Sequence, residues 1–258
     1  MRRLLNTLFI LNEEAYLALE NENVVVKQDE EILGQVPLLN LENILYFGYK
    51  GASPALMGEC AKRKIGLCFL SRHGRFLARV CGMNPGNVLL RKKQYLLSEN
   101  YEESCQIARN FIAGKIFNAR TVIERMKRDH PLNIDKNKFD DLILSNKQDF
   151  EFKSRQKRPP IGKVNALLSF AYTILAHDCA SVLEAVGLDA YVGFFHSDRP
   201  GRPSLALDLM EELRAIYADR FVLTLINNRI IKKSDFDEKE NGVTLLNDNG
   251  RKIFLNNW

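Results

Sequence analysis

The spacing of apolar residues changes character about a third of the way along the chain. From Leu8 to Val80 apolar residues come in short, β-branched runs: LFIL, YLALE, NVVVKQ, EILGQVP, ILYFGY, GLCFL and RFLARV. Turn-forming groups (NEE, NEN, QDEE, RHG) separate them, which predicts hairpins in a small sandwich or barrel. One helical insert interrupts the pattern near Ser53 to Lys64. It opens with Ser-Pro, a capping residue followed by a proline suited to the first turn. MNPG (Met83 to Gly86) breaks the chain, and from there apolar positions recur at three- and four-residue intervals. This predicts an α+β protein: an N-terminal β-sandwich-like domain over residues 1–84 and a mainly α-helical domain over 85–258.

In the second domain the run FKSRQKRPP reads as a basic linker that its prolines keep from being helical. A helix from about Gly162 to Val186 is apolar almost all round and is therefore predicted to be buried. It carries a slowly winding polar stripe, Asn165, Ser169, Thr173, His177 and Ser181, and buried polar groups need partners. Helices near Leu205 to Tyr217 and Arg220 to Ile231 follow. A hairpin VTLLNDNGRKIF is predicted to turn at Asn249-Gly250.

Composition narrows the class. The balance of 37 Lys and Arg against 32 Asp and Glu gives a charge of +5, which permits a polyanionic partner without demanding one. Five cysteines without CxxC spacing argue against a disulfide framework or zinc ribbon and fit a reducing cytoplasm. The start, MRRLLNTLFIL, has a basic flank, but its apolar run is broken by Asn6 and Thr7 and lacks a leader's cleavage site. The long apolar stretch Val164 to Val186 contains Asn165, His177 and Asp178, so it reads as a core helix and not a membrane span.

The candidate chemistry lies in GFFHSDRPGRPSLALDLMEE. Ser204 is placed to cap a helix whose apolar face is Leu205, Leu209, Leu213 and Ile216. Asp208, Glu211 and Glu212 share one face at i, i+3 and i+4. His196 precedes a turn stiffened by Pro200 and Pro203 that could return the imidazole to the carboxylates. One nitrogen with two or three oxygens suits Mn²⁺ or Mg²⁺ and phosphodiester chemistry, with Arg199 and Arg202 placed to hold a phosphate. The same spacing also suits a solvated helix face, and spacing alone leaves both open. Arg72, Arg75 and Arg79 surround one hairpin, Arg91, Lys92 and Lys93 open a helix, and Lys153, Arg155, Lys157 and Arg158 line the linker. Each cluster is a candidate DNA-phosphate contact or a solvated edge.

YVGFFHSDRPGRPSLALDLMEELR and the preceding RPPIGKVNALLSFAYTILAHDCASVLEAVGLD resemble the CRISPR-associated spacer-acquisition endonuclease, the Cas-one family, most closely its I-C subtype. GYKGASPALMGECAKRKIGLCFLSRHGRFLARV resembles the end of that family's N-terminal β domain, so the likeness spans essentially the whole chain. The resemblance implies a cytoplasmic, metal-dependent DNA endonuclease and integrase. Such a protein joins captured DNA into a CRISPR array by transesterification, as a homodimer paired through its β domain and with the second CRISPR-associated protein. It implies Mn²⁺ or Mg²⁺ held by His196 and Glu211, with Asp208 as a catalytic neighbour. It also implies DNA along Arg72, Arg75, Arg79, Lys157, Arg158, Arg199 and Arg202.

One family feature is missing. The family's third ligand is a glutamate in a motif like RGxEGxAAxxYF, ahead of the stretch corresponding to FDDLIL. Here RDHPLNIDKNK runs directly into FDDLIL, so a segment near 137–139 is absent relative to the family, and Glu124 does not match it. Trp258 also comes earlier than the family's usual end. The alternative function is therefore a non-catalytic DNA-binding scaffold of the same fold. A small-molecule hydrolase built on His196 is a third reading, without a nucleophile motif to support it.

Overall fold

The computed structural model describes residues 7–82, 88–130, 139–157 and 159–258. The break at MNPG, Arg158 and most of the join before FDDLIL lie outside the described residues. The chain divides into two compact units, Met1–Val88 with Glu184–Gly187, and Leu89–Leu183 with Leu188–Trp258.

The first unit contains β1 (Thr7–Ile10), β2 (Tyr16–Glu20), β3 (Asn23–Gln28), β4 (Glu31–Pro37), β5 (Asn43–Phe47), α1 (Pro54–Arg63), β6 (Gly66–Leu70) and β7 (Phe76–Val80). Strands β2, β3 and β4 form the antiparallel meander that the turn signals predict. Asn21 and Glu22 both take positive φ (47° and 63°), the backbone of a hairpin turn whose twist matches its strands. The other sheet, in order β1-β5-β6-β7, departs from the hairpin expectation. β1 pairs with β5 and β5 with β6 in parallel, and only β6–β7 is a hairpin. The reason is legible in β5, whose five residues NILYF are all buried, as in a parallel strand covered on both faces.

Leu17 and Val24 from one sheet, Ile44, Tyr46 and Leu67 from the other, and Leu56 and Cys60 from α1 form a single core. Each such aliphatic side chain contributes about 1.5–3 kcal/mol by leaving water. The Tyr46 hydroxyl donates to the Ala15 carbonyl at 2.7 Å and accepts from the Lys50 N–H at 3.0 Å, so the buried phenol is satisfied. Helix α1 starts as predicted: Ser53 accepts the Leu56 N–H at 3.2 Å, and Pro54 takes the first turn.

The second unit is built on α2 (Val88–Glu99), α3 (Tyr101–Asp129), α4 (Lys163–Ala185), α5 (Ser204–Leu213), a π-helical stretch Arg214–Asp219, α6 (Arg220–Asn227), β8 (Phe236–Glu238), β9 (Thr244–Leu246) and α7 (Asp248–Asn257). Helix α4 is long and apolar enough to cross a membrane by composition, yet Leu167, Ala171, Ile174 and Leu175 are buried inside the unit. Phe170 of α4 and Phe221 of α6 each meet Phe254 of α7 edge-on at 4.9 Å. Such aromatic pairs contribute about 0.5–1.5 kcal/mol beyond their buried area.

Three residues of the polar stripe on α4, Asn165, Ser169 and Thr173, have partners. Asn165 Oδ1 accepts from the Gln156 N–H at 3.0 Å and Arg155 Nη1 at 2.9 Å. Its Nδ2 donates to the carbonyls of Ser154 (3.0 Å) and Ile161 (2.9 Å). Ser169 accepts from Arg155 at 3.0 Å, and Thr173 donates back to the Ser169 carbonyl at 2.9 Å. The stripe thus fastens the basic linker onto the core helix.

The C-terminal hairpin is corrected. β9 pairs with β8, and Asn249-Gly250 lies inside α7, not in a turn. Asn247 caps α7 by accepting the Gly250 N–H at 2.9 Å. Gly250 is needed for another reason: a Cβ there would lie 2.2 Å from the Asp235 carbonyl oxygen.

Candidate active site

The loop before α5 is shaped by its turn residues. Arg199 to Arg202 closes with the Arg202 N–H on the Arg199 carbonyl at 3.0 Å. Pro200 and then Gly201 at φ +72° occupy the central positions of a type II turn. Ser204 does not cap α5 as predicted. It is the helix's first residue, is fully buried, and donates its hydroxyl to the Ser197 carbonyl at 3.3 Å. The first-turn N–H groups of Leu205 and Ala206 find the Ala190 carbonyl instead, at 3.0 and 3.2 Å.

The carboxylates on α5 are not a solvated face. Asp208 is 0% exposed and Glu211 6%. Asp208 is surrounded by donors from the loop: its Oδ2 accepts the N–H groups of Phe194 (2.7 Å) and Phe195 (3.0 Å), and its Oδ1 that of His196 (2.8 Å). The same Oδ1 meets His196 Nδ1 at 2.7 Å. Nδ1 therefore carries the proton, and Nε2 is the nitrogen left to accept a proton or bind a cation. The close approach requires Gly193, where a Cβ would sit 2.7 Å from Ser204 Cβ and 2.9 Å from Asp208 Oδ2.

Glu211 sits one turn further along α5 between two cations. Arg214 Nη1 is 2.6 Å from Oε1, and Lys115 Nζ, from α3, is 2.8 Å from Oε2. Burial pushes the Glu211 carboxyl up, but the Lys115 ammonium and Arg214 guanidinium outweigh it and hold the group below its ordinary value. Arg214 also lies over the Tyr172 ring, 4.3 Å from its centre, and the Tyr172 hydroxyl bonds Asp219. Burial raises both Tyr172 and Asp219, and it lowers the neighbouring Arg155. The resulting chain, Lys115–Glu211–Arg214–Tyr172–Asp219, links α3, α5, the π-helical stretch and α4. Helix α3 packs closely on α5 at Gly114, where a Cβ would lie 2.8 Å from the Glu212 carboxyl.

Of these residues the sequence singled out His196, Asp208, Glu211 and Glu212. Arg214 was within reach, three residues from Glu211 on the same helical path. Lys115, Tyr172 and Asp219 carried no pattern that set them apart. The predicted basic residues divide by setting. Arg75, Lys157 and Arg199 are exposed. Arg72 pairs with Glu13 at 3.4 Å, and Arg202 donates to Ser197 Oγ at 3.1 Å. The Arg79 side chain is only 10% exposed and pairs with Glu184 at 2.8 Å. Among the described residues, no three His, Cys, Asp or Glu side chains gather into a metal-binding group.

A β-rich unit followed by a helical unit is a fold found among solved structures. A CAS1 protein from Thermotoga maritima shares the fold with a TM-score of 0.82 at 22% identity, over 98% of this chain and 88% of that one. The sequence profile of the family "CRISPR associated protein Cas1" matches residues 8–143 and 136–258, and the chain belongs to that family. CRISPR-associated endonuclease Cas1 1 of Chlorobaculum tepidum is 39% identical over 99% of this chain and 85% of its own length. CRISPR-associated endonuclease Cas1 2 of Rhodospirillum rubrum is 42% identical over 100% and 86%. These alignments run to 293 and 300 positions, 35 and 42 more than the chain's 258 residues. Both relatives therefore carry sequence that this chain lacks, and the two pieces of the profile match meet at 136–143, where the glutamate motif is absent.

Proposed function

We propose that this chain is the DNA-cutting and DNA-joining subunit of CRISPR spacer acquisition. It inserts captured foreign DNA into a CRISPR array by phosphodiester transesterification, in the cytoplasm. The observation that carries the reading is the anchored histidine, with Asp208 holding both its ring and its backbone so that Nε2 is the reactive edge. Asp208 is spent on this positioning, and Glu211 is the carboxylate left for the substrate side.

The donors that would hold a divalent cation are His196 Nε2 and the Glu211 carboxylate, one short of the three that the resemblance implies, and among the described residues no group of three gathers. Glu211 Oε2 is buried and already meets Lys115 Nζ at 2.8 Å, so a divalent ion would have to share or displace that contact. Mg²⁺ or Mn²⁺ held by Glu211 and His196 Nε2 would need waters and phosphate oxygens for the remaining positions. The ion would polarise the scissile phosphoryl oxygen and stabilise the leaving oxygen. Arg199, Arg202, Lys157, Arg158, Arg72, Arg75 and Arg79 are the candidate DNA contacts. The partners of this reading are DNA, a second copy joined through the β-rich unit, and the second CRISPR-associated protein of the I-C-like acquisition complex.

The test is cutting and joining of labelled DNA with Mn²⁺, Mg²⁺ or chelator. Activity should need metal and be lost in His196→Ala and Glu211→Ala; full activity in both variants would remove the site assignment. A second reading, a DNA-binding scaffold without turnover, is favoured by the 35 or more residues that the relatives carry and this chain lacks. It predicts salt-sensitive DNA binding and no metal-dependent product in the same assay.

A further inference from the structure

The one buried residue of α2 is polar. Gln94 is 2% exposed, while Leu89 and Leu96 of the same helix face solvent. A buried amide must find partners, and Gln94 finds three, all on the backbone of the loop that leads to His196. Its Nε2 donates to the carbonyls of Asp189 at 2.8 Å and Val192 at 2.9 Å, and its Oε1 accepts the Asp189 N–H at 2.9 Å. From α3, Ser104 Oγ donates to the Phe194 carbonyl at 3.2 Å. Asp208 takes the N–H groups of Phe194, Phe195 and His196 from the other side. Next to Asp189, the Ala190 carbonyl receives the first-turn N–H groups of Leu205 and Ala206. Gln94 therefore grips the loop where it meets α5, the helix that carries Asp208 and Glu211.

We propose that Gln94 is a positioning residue for the site. By fixing the backbone at Asp189 and Val192 it sets His196 against α5, without touching the imidazole or the substrate. The inference rests on the reading of His196 as a reacting group. Its physical basis is that residues 188–200 form neither helix nor strand. Their backbone groups depend on side chains for partners, and those side chains decide where the loop lies. An apolar residue at position 94 would leave an N–H and two carbonyls unpaired, and the loop could satisfy them only by moving toward water.

Gln94→Met keeps the length of the side chain and removes all three bonds. The first readout is the proton magnetic resonance of the His196 Nδ1–H, identified by its loss in His196→Ala. In Gln94→Met this signal should broaden away as exchange with water speeds up about tenfold or more. Leu167→Ala, which opens a cavity under α4 and also lowers the melting temperature, should leave the signal in place. In DNA cutting by the full chain, Gln94→Met should lower kcat about 10- to 100-fold and keep KM within about twofold of wild type.

A wild-type His196 signal in folded Gln94→Met overturns the proposal. So does equal loss of the signal in Leu167→Ala, which would make it a report of stability alone. If His196→Ala is inactive while Gln94→Met keeps the wild-type kcat, the proposal fails and the site reading stands. If His196→Ala is fully active, the site reading fails and takes the proposal with it. In a wild type without turnover the ring signal decides. Should Gln94→Met not fold, Gln94→Glu replaces it, keeping the shape and the acceptor for the Asp189 N–H while removing both donors to the carbonyls.

Discussion

Asp208 holds His196 at two points, its Oδ1 accepting the ring Nδ1–H at 2.7 Å and the backbone N–H of the same residue at 2.8 Å. Its other oxygen takes two further backbone donors, so every group facing this carboxylate donates. An isosteric amide turns one of those acceptors into a donor pointed at donors. Asp208→Asn should therefore cost about 2–4 kcal/mol of stability in urea unfolding, more than a surface substitution of the same kind. His196→Ala removes only one of the four contacts and should cost about 1 kcal/mol or less. If Asp208→Asn unfolds at the wild-type urea concentration, Asp208 does not organise the loop.

Glu211 gives a pH dependence of definite sign. Its carboxyl is held below its unfolded value of 4.5 by Lys115 and Arg214. A depressed carboxyl contributes stability that is fully present above the unfolded value and is lost as pH falls through the folded one. The melting temperature of wild type should therefore fall toward that of Glu211→Gln as pH drops below about 4.5, and the gap should be constant near neutrality. Asp219 acts in the opposite sense, since burial raises its carboxyl, and the Glu211 charge adds to that rise, so the gap reports Glu211 together with its effect on Asp219. A gap that widens on acidification would refute the pairing.

The sequence reached the elements whose signal is local and missed those set by distant neighbours. The meander β2-β3-β4 and helix α1 carry their own turns and caps. The parallel pairing of β1, β5 and β6 depends on which strands lie either side of β5, and only the continuous apolar run NILYF hinted at it. The Asn-Gly pair near the C-terminus looked like a hairpin turn because its helical use rests on the Asp235 carbonyl, fifteen residues before Gly250. At the site, helical spacing grouped Asp208 with Glu211, but their burial comes from the preceding loop and from α3. Lys115 is invisible for the same reason: 96 residues of sequence separate it from the carboxylate that it neutralises.

Asn165 makes a separate prediction about the basic linker. Four hydrogen bonds tie it to Ser154, Arg155, Gln156 and Ile161. Asn165→Ala leaves those backbone groups and the Arg155 guanidinium without their anchor, while α4 keeps its apolar packing. Trypsin should then cut after Lys153, Arg155 or Lys157 faster than in wild type, with helix content preserved by circular dichroism. Unchanged cleavage would mean that the linker is held by other contacts.

The basic residues predicted to touch DNA should separate into two kinds when reversed in sign. Arg75 and Lys157 are exposed, so Arg75→Glu and Lys157→Glu should leave melting within about 0.5 kcal/mol of wild type. Each should weaken DNA binding and flatten the log–log salt dependence by about one unit per lost phosphate contact. Arg79 is different, because its side chain is nearly buried against Glu184 at 2.8 Å. Arg79→Glu sets two carboxylates against each other at a pair whose Glu184 side chain is 32% exposed, so it should cost more than the ~0.5 kcal/mol of an exposed reversal and less than a fully buried pair would. Its first effect should be a lowered melting temperature. The discriminating comparison is the double variant Arg79→Met with Glu184→Met, which removes both charges. If that protein melts near wild type and keeps the wild-type salt slope, Arg79 is a structural residue of the β-rich unit. A slope reduced by one unit in a fully folded double variant would instead make Arg79 a DNA contact and require Glu184 to release it.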